Sequence, residues 1–357
     1  MRGRIMEAWV GRDDLRRRQA GSVRGWTLGV GLLVSILTLA ACDAPTQASD
    51  PPAASAPAQS PARAAPAKNG FADVDGGRIH YQVYGDLASG KTPLLVLHGS
   101  IMSAEQMRPM IEPFTASRPV IAIDQRGHGR TGDLPGPITY EMLADDAAGV
   151  LQALNVPTAD VLGYSMGGTA AFFMAIRHPD RVGKQIIVSG TARRGGWYPE
   201  VQASFAKWTP EMFAGSPLEA EYKRLSPTPE AFPTLIEELS DMDTANYDRS
   251  DEAIRSIDDK TMIIVGDADG MQLAYAVELF KLRGGVDVKE AMQGFLSEVP
   301  RARLAVLPGT SHTGMMVEAK LLAQLAIPFL DDAKPEMPPG FLKSTNGDEA
   351  SKGEGVD

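Results

Sequence analysis

Cysteine is nearly absent from this 357-residue chain. The single Cys42 excludes an intrachain disulfide, so stability must come from a packed core. Metal and phosphate signatures are missing as well. There is no zinc-ligand spacing and no phosphate-cradling loop, and Gly127-His128-Gly129 lacks the rest of a dinucleotide fingerprint. No metal and no cofactor are predicted. Positive charge is in deficit, 35 basic against 45 acidic residues, and residues 1–41 alone hold seven of the arginines and only three of the acids. An acidic body of this kind argues against nucleic acid as a partner and against attachment to an anionic membrane through its surface.

What is present divides the chain. Arg16, Arg17, Arg18 and Arg24 precede the apolar segment Leu28 to Leu39, which is shorter than the ~18–20 residues of a spanning helix. With Leu39-Ala40-Ala41-Cys42 behind it, residues 1–41 read as a bacterial lipoprotein signal peptide, and Cys42 as the lipidated N-terminus of the mature protein. The expected location is the cell envelope, facing the periplasm or exterior, with the membrane contacted through the N-terminal lipid. Residues 42–68, rich in Ala, Pro and Ser, read as a tether, and residues 334–357 as a polar tail. Between them, 69–333 is long enough for one large α/β domain. Short apolar strands there alternate with amphipathic helices, which predicts a mostly parallel sheet with helices on both faces. The turn signal Asp75-Gly76-Gly77 predicts that the sheet begins with an antiparallel pair.

The most informative stretch is Gly163-Tyr164-Ser165-Met166-Gly167, set between the apolar run Ala159 to Leu162 and the helical pattern Thr169 to Arg177. A strand that turns sharply into a helix pushes the serine out of the backbone and aims the helix N–H groups at it, which makes a nucleophile. Downstream, Gly266-Asp267-Ala268-Asp269 follows the apolar strand Thr261 to Val265, and Pro308-Gly309-Thr310-Ser311-His312 follows Arg303 to Leu307. In a parallel sheet, a serine, an acid and a histidine at three strand ends emerge on one edge. Of the five histidines only His312 follows the last strand. Either Asp267 or Asp269 could supply the acid.

In this order and context the chain resembles the α/β-hydrolases, in the broad branch of serine esterases, over about residues 71–330. The resemblance implies the α/β-hydrolase fold with a helical cap insertion at about 193–259. It also implies a catalytic triad of Ser165, Asp269 and His312, since the family acid stands third after the glycine; Asp267 then reads as a loop-capping residue or a weak substitute. His98-Gly99-Ser100-Ile101, after the strand Leu94 to Leu97, corresponds to the family's oxyanion loop, so that the N–H groups of Ser100 and Met166 would hold the oxyanion. The segment Asp124 to Arg130 is structural in the family and is assigned no chemistry.

These features predict hydrolysis of a small carboxylic ester through an acyl-enzyme. Lactone opening, C–C hydrolysis, peracid formation and iminopeptidase action would reuse the same triad, whereas epoxide and haloalkane hydrolysis fit less well because the elbow residue is not aspartate. A catalytically dead, ligand-binding lipoprotein is the reading from another class. The cap aromatics Trp197, Tyr198, Trp208, Phe213 and Phe232, with Met212, are candidates for pocket walls. So are Met102, Met166, Met315 and Met316, and a second insertion, Gly284 to Pro300 with Met292 and Phe295.

Overall fold

The fold is described from a computed structural model covering residues 65–286, 288–294, 296, 300–334 and 336. The segment expected to be a signal peptide, Cys42, most of the expected tether, Phe295 and nearly all of the expected tail lie outside the described residues. Among those described, eight strands form one sheet: β1 Lys68–Val74, β2 Gly77–Tyr84, β3 Leu94–Leu97, β4 Val120–Asp124, β5 Ala159–Tyr164, β6 Val182–Val188, β7 Lys260–Ala268 and β8 Ala302–Ser311. Their spatial order is β1-β2-β4-β3-β5-β6-β7-β8, antiparallel at the first two pairings and parallel from β4 onward. The tether expectation ran to Lys68, but that residue already pairs with Val83 in β1, and the Ala67 N–H donates to the Val83 carbonyl. A polar, proline-flanked segment carries no period that would mark where pairing starts.

The central strands are apolar without alternation because both faces are covered. Leu95, Leu97, Ile121, Ile123, Val161, Ile187 and Ile263 point to one core, and Leu94, Val96, Val120, Ala122, Leu162, Ile186 and Ile264 to the other. The helices are α1 Arg108–Ile111, α2 Tyr140–Ala153, α3 Met166–Arg177, α4 Pro199–Phe205, α5 Pro210–Phe213, α6 Pro217–Leu225, α7 Phe232–Thr244, α8 Asp251–Arg255, α9 Leu273–Leu282, α10 Val288–Gln293 and α11 Ala319–Leu330. Helices α2 and α3 cover the first face, and α1 and α11 the second. Helices α4 to α8 fill the insertion between β6 and β7. None of the helices among the described residues is long and apolar enough to cross a membrane.

The Asp124 to Arg130 loop ties these layers together. The Arg126 side chain is almost wholly buried and grips Asp146 of α2 through Nε at 2.9 Å and Nη2 at 3.0 Å, while its other N–H groups reach the Pro135 and Asp75 carbonyls. Burial pushes the Asp146 carboxyl up, and the guanidinium pulls it back only in part. Such a pair adds little net stability over an apolar replacement of both partners, but removal of one leaves the other charge stranded. Arg126→Met is expected to lower unfolding free energy by about 3–5 kcal/mol in urea denaturation, and Arg126→Met with Asp146→Leu to recover much of that loss.

Candidate active site

The parallel strands deliver four loops to one edge of the sheet, where β3 and β5 lie side by side with Leu97 opposite Gly163. The loop after β5 is the sharp turn. Ser165 sits at φ 55°, ψ −119°, immediately before α3, and its N–H donates to the Val188 carbonyl. The flanking glycines are required by close backbone approach. A Cβ at Gly163 would lie 2.1 Å from the Gly167 carbonyl oxygen, and one at Gly167 would lie 2.2 Å from that of Leu97. Ile101 and Ser189, at the ends of β3 and β6, also adopt positive φ, 60° and 53°. Three strained non-glycine residues thus gather at the strand ends that carry the site.

Ser165 Oγ lies 2.9 Å from His312 Nε2, and His312 Nδ1 lies 3.0 Å from Asp269 Oδ1. Asp269 also accepts the Ser189 hydroxyl at 2.6 Å and the Met271 N–H at 2.9 Å. Burial raises this carboxyl's proton affinity, but His312, Ser189 and Met271 outweigh it and hold the group below the ordinary aspartate value. Asp267 lies outside the triplet and caps the neighbouring loop by accepting the Thr310 N–H. The His312 ring stacks on Tyr164 and meets the edge of Trp197, and the Tyr164 hydroxyl donates to the His312 carbonyl. The residue before the serine thus anchors the backbone of the histidine.

Ser100 and Met166 line the same cavity as Ser165. Met166 is the first residue of α3, so its N–H has no intrahelical acceptor. The loop holding Ser100 is braced by two buried histidines. Burial depresses both His98 and His128, the latter to about 3 with the help of neighbouring His98, so both rings are neutral at ordinary pH. A neutral ring has one donor and one acceptor nitrogen. His128 Nδ1–H donates to the Arg126 carbonyl, leaving Nε2 to accept the Ile101 N–H, and His98 Nδ1–H donates to the Gly99 carbonyl, leaving Nε2 to accept the Gln125 N–H. The Asp124 to Arg130 loop therefore positions the Ser100 loop, a link between two motifs that their spacing does not display. His80 bonds Asp124 and His178 bonds Asp145, both away from Ser165.

The cavity measures about 560 Å³. Of the predicted wall residues, Trp197, Trp208, Met102, Met166 and Met316 line it, whereas Met315 and Phe232 are core and Tyr198 and Met212 face solvent. Phe213 packs against Trp208 behind the wall. Phe205 was not predicted, although Trp197, Val201, Phe205 and Trp208 recur at helical spacing. Contrary to expectation, the described residues of the second insertion do not line this cavity. Gly284, Ala291 and Leu296 line a separate cavity with Phe280 and Arg303, and Met292 is exposed. That segment joins the end of α9 to the start of β8, so it lies at the sheet edge opposite the strand ends that carry Ser165. Among the described residues no three His, Cys, Asp or Glu side chains gather as metal ligands would.

An assembled Ser–His–Asp triplet at the carboxyl edge of such a sheet defines an α/β-hydrolase-fold protein. Residues 92–256 match the family model described as alpha/beta hydrolase fold. RutD of Caulobacter segnis, which carries the name of a carbamate hydrolase, is 36% identical over 134 residues, 37% of this chain and 48% of that protein. The 2-hydroxymuconate semialdehyde hydrolase of Pseudomonas sp. strain CF600 is 35% identical over 138 residues, 37% and 46% of the two chains. The chain thus spans about half the length of these relatives. Among solved structures, the enol-lactonase of Burkholderia xenovorans LB400 superposes with a TM-score of 0.55 at 21% identity over 73% of this chain and 100% of that one, a likeness of fold alone.

One further side chain reaches the cavity. Asp243 of α7 is 6% exposed, and its Oδ1 accepts the Tyr140 hydroxyl at 2.7 Å. Burial, only partly offset by Tyr140, pushes its carboxyl up to about 6. Below about pH 4 the group is protonated in both folded and unfolded chains and has no effect. As pH rises from about 4 to about 6 the unfolded chain has lost its proton while the folded one still holds it, so stability falls across that window by about 3 kcal/mol and levels off above it. Asp243→Asn is expected to melt at a higher temperature than the parent at neutral pH, with the difference closing toward pH 4 in thermal scans.

Proposed function

We propose that the protein is a serine hydrolase that cleaves a small carboxylic ester through an acyl-enzyme. The observation that carries this reading is the continuous line Ser165 Oγ, His312, Asp269 opening into one apolar-walled cavity. His312 Nε2 takes the hydroxyl proton as Ser165 Oγ attacks the carbonyl carbon, and Asp269 stabilises the imidazolium that results. The N–H groups of Ser100 and Met166 hold the oxyanion. Collapse of the tetrahedral adduct breaks the ester C–O bond, and His312 hands its proton to the departing alcohol. Water, deprotonated by the same ring, then attacks the acyl-serine and restores the enzyme. Ester cleavage needs nothing beyond these groups. Relatives with the names of a carbamate hydrolase, a semialdehyde hydrolase and a proline iminopeptidase indicate that the cavity walls select the bond.

With p-nitrophenyl acyl esters, Ser165→Ala and His312→Ala are expected to lose about 10⁴-fold or more in kcat, and Asp269→Asn about 10⁴-fold, with folding intact by circular dichroism. A fluorophosphonate should label the parent protein and not Ser165→Ala. A folded parent that neither turns over such esters nor takes the label would overturn the reading in favour of a binding protein.

We infer further that the chain is exported and held at the envelope by lipid on Cys42. This rests on the apolar segment Leu28 to Leu39, the small residues Ala40 and Ala41, and the uniqueness of the cysteine. Cys42→Ser is expected to move the protein from the membrane pellet to the soluble fraction and to abolish metabolic labelling with palmitate; an unchanged distribution would exclude this anchor.

A further inference from the structure

Asp243 takes no part in the line from Ser165 to Asp269, yet it opens onto the same cavity. Its Oδ1 is occupied by Tyr140, and its Oδ2 has no hydrogen-bond partner among the described residues. Nor does Asp243 form an ion pair there. The cation over the neighbouring Phe173 ring, Arg249, is committed to Glu141 at 3.4 Å and to the Tyr247 carbonyl at 3.1 Å.

A purely mechanical role would be to fasten α7 of the cap to α2 of the main domain through the Tyr140 hydroxyl. An asparagine at this position would accept the same hydrogen bond without a buried charge, so that role does not account for a carboxylate. Buried charges that lack a protein partner are costly and call for a compensating group. The cavity that Ser165 and Asp243 share is also lined by Trp197, Val201, Phe205, Trp208 and Leu218, which would cover a short hydrocarbon arm and whose rings tolerate a cation.

We propose that Asp243 is a substrate-binding carboxylate and that the compound acylating Ser165 carries an ammonium group, whose N–H pairs with Asp243 Oδ2 while the Tyr140 hydroxyl fixes Oδ1. The proposal rests on the serine-hydrolase reading and names its substrate class, an amine-bearing ester. The arm joining amine and carbonyl is apolar, and the charge stands at the end of the cavity wall contributed by α2 and α7.

The test compares isosteric esters in which one carbon is exchanged for a protonated nitrogen: dimethylaminoethyl butyrate beside isopentyl butyrate for the alcohol arm, and methyl ω-aminohexanoate beside methyl heptanoate for the acyl arm. In the parent protein kcat/KM is expected to favour the amine by about tenfold to a hundredfold in at least one pair, as a hydrogen bond to a buried charge would give. Asp243→Asn is expected to bring that ratio to about one, mainly through KM, while Tyr140→Phe, which keeps the charge, retains a preference. Equal rates within both pairs in the parent, or a preference that survives Asp243→Asn, would overturn the proposal. If no ester is turned over, the serine-hydrolase reading is what has failed, and calorimetric titration with isopentylamine and isopentanol still decides the carboxylate's role. Selective binding of the amine that is lost in Asp243→Asn supports it, and equal or absent binding overturns it.

Discussion

Backbone contact at the elbow governs the rest of the site. Helix α3 begins directly after Ser165, and its first turn lies so close to β3 and β5 that no side chain fits at Gly163 or Gly167. This approach holds Ser165 in a conformation that an ordinary residue avoids, and it brings the unpaired N–H of Met166 beside the end of β3. The sheet register then supplies the remainder. With Leu97 opposite Gly163 and Val188 accepting the Ser165 N–H, the loops after β3, β5, β7 and β8 open on one side.

Around that contact, the members of the Ser165–His312–Asp269 line and the Ser100 loop are held by neighbours outside the line. Ser189 and the Met271 N–H hold Asp269, Tyr164 holds the backbone of His312, and His128 holds the loop of Ser100 through Ile101. These supports come from four different strand ends or loops, those of β4, β5, β6 and β7. They are short-range, largely buried hydrogen bonds, which are strong where water is excluded and expensive to leave unmade.

Much of this was legible in the chain. Strand and helix periodicities mark the sheet, the Asp75-Gly76-Gly77 turn marks its antiparallel start, and the elbow serine and the last histidine can be read because each follows an apolar strand, whereas Asp269 is separated from Asp267 only by the family resemblance. The order of strands β3 and β4 was not legible, since both are short apolar runs with nothing to show which lies beside β2. Asp243 escaped because it sits among Glu237, Glu238 and Asp241, as if on a solvated face. The signal was there all the same. Asp243 falls four residues after Leu239 and seven after Ile236, on the buried stripe of α7. The second insertion was assigned to the wrong edge because composition shows that a segment is apolar but not at which end of the sheet it lies.

The positive-φ conformations of Ile101, Ser165 and Ser189 have a consequence for how the molecule fails. Each stores backbone strain of order 1–3 kcal/mol that persists only while the surrounding contacts enforce it. A modest loosening at the carboxyl edge lets these residues relax to ordinary dihedrals, and the reactive groups then drift apart while the doubly covered sheet still holds. Thermal inactivation of such a site is expected to precede the melting of its scaffold.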